Sequence, residues 1–90
     1  MNELNVLREQ IDNIDGQIVK LLCKRFDVVK NVAEYKRERG IEILQKSREA
    51  EVLNKIAAEI KEQAYLEHIL QIYGVILETS KRLQETRGIL

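Results

Sequence analysis

From Leu4 onward, apolar side chains recur at alternating intervals of three and four: Leu4, Leu7, Ile11, Ile14, Ile18 and Leu21, then Val28, Val32 and Tyr35. That interval keeps every one of them on a single helical stripe. The pattern predicts one continuous helix over about residues 3 to 39. Gly40 supplies a residue suited to a left-handed cap, and the preceding basic run KRER suits a helix C-terminus. Gly16 inside this helix costs about 1 kcal/mol relative to alanine, which so regular a stripe can absorb. One seam position is anomalous: in LLCKRFDVV, Arg25 stands where an apolar residue is due.

The stretch IEIL (41 to 44) reads as a short extended connector. After it, Val52, Leu53, Ile56, Ala57 and Ile60 repeat at helical spacing and predict a second helix over about residues 45 to 62. A break near Gln63 to Tyr65 leads to a third helix over about 66 to 87, with Leu66, Ile69, Tyr73, Ile76 and Leu83 on its stripe and Ser80 in the vacant position. The chain has no proline and 4% aromatic residues, a helical rather than a strand vocabulary, so the expected fold class is all-α with one very long and two shorter helices. A first helix of about 36 residues is about 54 Å long, whereas a compact globule of this size is about 30 Å across. Its seam overhangs the chain, which predicts an intertwined homodimeric helical bundle, two-fold symmetric.

Composition narrows the function classes. The 90 residues are expected to form a single domain, with no room for a fused second catalytic domain. Fifteen basic and fifteen acidic residues are interleaved along the chain, which argues against nucleic acid and against an anionic membrane as partner. The N-terminal MNELNVLREQ has no signal-peptide core and no stretch is long enough to span a bilayer, so a cytoplasmic protein is expected. Cys23, the lone cysteine, reads as a small packed side chain, and no metal-ligand cluster or activated nucleophile accompanies it.

Helical geometry groups the polar candidates. Arg25, Val29, Val32 and Lys36 share one face of the first helix, two cations bracketing two valines. Gln45, Arg48, Glu49 and Val52 share a face at the start of the second, and Leu77, Ser80, Lys81 and Gln84 share one on the third. If these faces meet, they enclose a pocket for a compact, partly apolar anion. Each residue alone has a plainer reading. Arg25 could set register by pairing with a glutamate in a dry seam, and Lys36 could be a solvated helix-end cation. Arg48 and Glu49 could be first-turn charges, Ser80 could bond a carbonyl one turn back, and His68 reads as an ordinary surface residue.

In LREQIDNIDGQIVKLLCKRF, VAEYKRERGI, SREAEVL and ILETSKRLQ, taken in order and spacing, the chain resembles the small, all-helical chorismate mutases over nearly its whole length. The resemblance implies conversion of chorismate to prephenate, a step toward phenylalanine and tyrosine, by an intertwined dimer with two equivalent sites and no cofactor. It places Arg25, Lys36, Arg48, Glu49, Ser80 and Gln84 at the family's binding positions. It adds Arg8, matching an arginine that reaches into the partner chain's site. Gln45 departs from the family, whose members commonly carry aspartate there. If the position contributes backbone contacts the change is neutral; if a carboxylate is used, binding weakens.

The implied reaction is a unimolecular Claisen-type rearrangement, which needs no nucleophile or metal. It needs a dianion held in its folded conformer and charge stabilised on the ether oxygen. On this reading Arg8 and Arg25 clamp the carboxylates with help from Ser80, Lys36 and Gln84 donate to the ether oxygen, and Glu49 accepts from the substrate hydroxyl. Arg48 orients Glu49 or adds positive potential. The competing expectations are an isochorismate-pyruvate lyase on the same scaffold and a non-catalytic helical dimerisation module.

Overall fold

In the computed structural model, which describes residues 2–89, the chain folds as α1 (Glu3–Arg39), α2 (Lys46–Glu59), a 3-10 turn at Gln63–Tyr65, and α3 (Leu66–Ile89). The fold is all-α. Asn2 caps α1, its side chain accepting from Leu4 N–H at 2.6 Å. At the other end Gly40 adopts φ 65 and ψ 30, and the amides of Gly40 and Ile41 bond back to Arg37 and Lys36 carbonyls. Glycine is the residue that reaches this left-handed conformation without a Cβ penalty, so it turns the chain sharply and sends the connector back along α1.

α2 ends at Glu59, earlier than the expected 62. Lys61, Glu62 and Gln63 all favour helix, but Ile60 turns extended at φ −83 and ψ 113, its N–H bonding Ala57 O, and the chain reverses toward α3. The apolar positions of α2 (Val52, Leu53, Ile56, Ala57) and of α3 (Leu66, Ile69, Tyr73, Ile76, Leu83) are all half-buried. α3 is the shared wall: it packs on both α1 and α2, which do not pack on each other among the described residues. The trough between α1 and α2 that results is where the polar faces meet.

Little of this chain is sealed from solvent. Among the described residues only Ala33 and Ser80 are buried, and Cys23, expected to be packed, is exposed. The molecule extends 57 × 29 × 14 Å with a radius of gyration of 16.6 Å, where a compact chain of this length would have about 12 Å. Its surface of 7500 Å² likewise exceeds the about 5400 Å² of a compact chain of this mass. Exposed apolar surface is densest along the first half of α1, whose seam from Leu4 to Leu21 is 48 to 63% exposed, and continues at Val28 and Tyr35 of α1 and at Ile72 and Val75 of α3. No described helix is long and apolar enough to cross a membrane.

Candidate active site

The trough has a volume of about 330 Å³ and is lined by all three helices and the connector. α1 contributes Arg25, Val28, Val29, Val32 and Lys36, one helical stripe whose middle is valine and whose ends are cations. Gln45, Arg48, Glu49 and Val52 come from the start of α2, and Leu77, Ser80, Lys81 and Gln84 from α3. Every residue expected at the site therefore lines it except Arg8. Ile43 and Leu44 of the connector complete the wall; they had not been singled out, since an apolar connector looks the same in sequence whether or not it faces a site.

Arg25 is held across the trough. Its Nη1 donates to Ser80 Oγ at 2.6 Å, while that hydroxyl donates to Ile76 O at 2.7 Å. Ser80 thus takes its plainer expected role, bonding the carbonyl one turn back, and in doing so turns a lone pair toward Arg25, a contact that was not expected. The dry Arg25–glutamate pair is not among the ion pairs of the described residues. A guanidinium has five N–H donors, so one bond to a hydroxyl leaves most of them for a ligand.

Lys36 is fixed from two sides. Its Nζ donates to Ile43 O at 2.8 Å and to Gln84 Oε1 at 3.3 Å, joining α1 to the connector and to α3. It is half-buried rather than the free helix-end cation of the plainer reading. An ammonium carries three donors and no acceptor, so the amide oxygen of Gln84 must face it. The Gln84 NH₂ and the third Lys36 N–H remain as donors.

Of the two expectations for Arg48, orienting Glu49 or adding positive potential, the structure does not show the first. It is paired with Glu51 one turn along α2, and Lys55 approaches the same carboxylate oxygen at 3.5 Å. The hydrogen bond from Arg48, then the charge of Lys55, hold the Glu51 carboxyl below the usual carboxylate range. Glu49, half-buried on the trough, forms no ion pair among the described residues. Gln45 sits at the N-cap of α2 without capping it; its Nε2 donates to Glu42 O at 3.4 Å instead. Arg8 lies about 26 Å along α1 from Arg25 by helical rise, exposed and outside this trough.

The three helices thus enclose a cationic, valine-floored trough in which Glu49 forms no ion pair among the described residues and the primary amide of Gln84 lies beside Lys36. The type II chorismate mutase family model matches residues 7–85. The chain is 35% identical over 86 residues to a chorismate mutase of Methanocaldococcus jannaschii, covering 94% of this chain and 87% of that protein. It is 36% identical over 85 residues to a bifunctional chorismate mutase/prephenate dehydratase of Buchnera aphidicola, covering 93% of this chain and 22% of that protein. A 4-amino-4-deoxychorismate mutase of Streptomyces venezuelae is 28% identical over 85 residues, covering 93% and 82%. This chain belongs to the type II chorismate mutase family.

Proposed function

We propose that this chain rearranges chorismate to prephenate, feeding phenylalanine and tyrosine biosynthesis. The observation that carries the reading is the pair of cross-trough bonds, Arg25 to Ser80 and Lys36 to Gln84, which pre-position two cations and a neutral amide over one cavity. Electrostatic preorganisation of this kind acts where charge develops, without reorganisation during the reaction. Arg25 pairs with a substrate carboxylate through the donors that Ser80 does not use. The third Lys36 N–H and the Gln84 amide donate to the ether oxygen as the carbon–oxygen bond breaks. Glu49 accepts from the substrate hydroxyl, and Val29 and Val32 pack on the apolar ring. Because a neutral amide donates without first gaining a proton, Gln84 imposes no requirement for acid pH.

The working unit is a two-fold homodimer. Its supports are the half-exposed seam of α1, the surplus surface, and the position of Arg8, too far to serve its own chain's trough. In this arrangement the partner subunit's Arg8 supplies the second carboxylate clamp. The cytoplasm is the proposed compartment, since the exposed Cys23 thiol would be open to oxidation elsewhere. The test is a direct assay of chorismate disappearance with prephenate identified as product and isochorismate run alongside. Conversion of isochorismate alone, or of neither, overturns the proposal.

A further inference from the structure

We propose that Lys81 is a further substrate-binding residue of this site, taking one carboxylate of the dianion; the assignment rests on the proposed function. Lys81 lines the trough on α3 between Leu77, one turn before it, and Gln84, one turn after. Its side chain is 29% exposed, whereas that of its neighbour Arg82 is 73% exposed, so of these adjacent cations Lys81 faces inward and Arg82 outward.

Lys81 Nζ lies 3.2 Å from Glu78 Oε2, and Glu78 is not part of the trough lining. Glu78 is simultaneously held by Arg82, whose Nε lies 3.4 Å from the other carboxylate oxygen. Lys81 can therefore move to a ligand without leaving Glu78 unpaired. The bond it gives up is a solvent-screened one, and the bond it gains is charge-assisted inside a partly enclosed cavity.

Charge balance points the same way. A bound dianion together with Glu49 brings three negative charges into the trough. From this chain Arg25 and Lys36 meet two of the three. Arg48 and Lys81 both line the trough and are both paired along their own helices, with Glu51 and Glu78, but the Lys81 side chain is 29% exposed against 60% for Arg48, so Lys81 is the better placed to supply the remaining counter-charge. With the partner subunit's Arg8 the site then carries a modest positive excess, which favours entry of an anion.

The test compares Lys81→Met, which keeps the stem and removes the charge, with Lys81→Arg and with Arg82→Met, which removes the same charge from the solvent side. Chorismate kinetics are measured at two ionic strengths on each full-length variant, with helicity and sedimentation checked in parallel and Lys81→Gln as a second neutral variant. Loss of one charge-assisted ligand contact predicts a KM raised about tenfold in Lys81→Met and Lys81→Gln with kcat within about twofold. Lys81→Arg keeps KM near that of the unaltered protein, and Arg82→Met leaves it unchanged. An unchanged KM in both neutral variants, or an equal rise in Arg82→Met, overturns the assignment. Absence of turnover in the unaltered protein overturns the proposed function instead, and this assignment with it.

Discussion

Along the first half of α1, Leu4 to Leu21 keep a strict apolar seam that is about half exposed; in the second half Val28, Val32 and Tyr35 of that seam are still 40 to 59% exposed, but Arg25, Val29 and Lys36 are half-buried opposite α3 and the connector. Both halves belong to one helix with one periodicity. They differ in what the seam has to meet. A purely apolar stripe is complete once another apolar stripe covers it, which is the role given to the second copy. A stripe interrupted by Arg25 and ended by Lys36 cannot close that way, because two cations would be desolvated with no partner. It opens into a trough instead, and Ser80 and Gln84 cross it to hold the cations in place.

The sharpest way to break this contrast is to put a charge into the bare half. Ile14→Lys places an ammonium in the proposed dimer seam, and a symmetric interface carries the change twice. At about 3–5 kcal/mol for each uncompensated buried charge, the dimer dissociation constant should rise about 10⁴-fold or more. Sedimentation equilibrium measures it. In the other half, Lys36→Ala removes a donor from the trough and should lower kcat about 10²- to 10³-fold while the dimer stays folded.

Smaller changes probe the trough's edge. Gln45 occupies an N-cap position without using it, so Gln45→Asp should stabilise the protein by about 0.5–2 kcal/mol in urea unfolding. The smallest expected effect is at Glu51. Its carboxyl titrates below the usual carboxylate range because Arg48, then Lys55, favour the charged form. The depressed value means that the stabilising contribution is present above the ordinary carboxylate range and is lost as pH falls through the lowered one. The difference in stability between the unaltered protein and Glu51→Gln should accordingly be level from neutral pH down to that range and vanish below it.

How far the sequence reached follows the same division. The all-α class, the long first helix and its stop at Gly40 were legible because each has a local cause: period, composition, and a left-handed cap followed by amides that bond back into the helix. The end of α2 had only a weak one: a β-branched Ile60 takes the extended conformation readily, but it also continues the helical apolar spacing, and Lys61, Glu62 and Gln63 after it favour helix. At the site, helical spacing sufficed to group Arg25, Lys36, Ser80 and Gln84 by face. It did not reveal that Lys36 also bonds the Ile43 carbonyl, because every residue offers a carbonyl and only the path of the connector selects one. Nor did it show Arg48 paired with Glu51. A residue three along the helix is as near as a ligand, and spacing ranks neither first. Lys81 shares a face with Ser80 and Gln84, but a lysine there is ordinary in a helix, whereas Ser80 interrupts the apolar stripe. Arg8 carried no local signal; family resemblance singled it out, and its distance from its own trough gives the physical reason why.

The central claim is that each site draws Lys36 from one chain and Arg8 from the other, and mixing two inactive variants tests it most directly. Arg8→Ala and Lys36→Ala are each assayed alone, then unfolded together in equal amounts and refolded. In a mixed dimer one site inherits both lesions and the other inherits neither. With half of the dimers mixed and one of two sites intact in each, the account predicts recovery to about a quarter of the unaltered activity, far above either variant alone. A mixture no more active than the mean of its two components would contradict it.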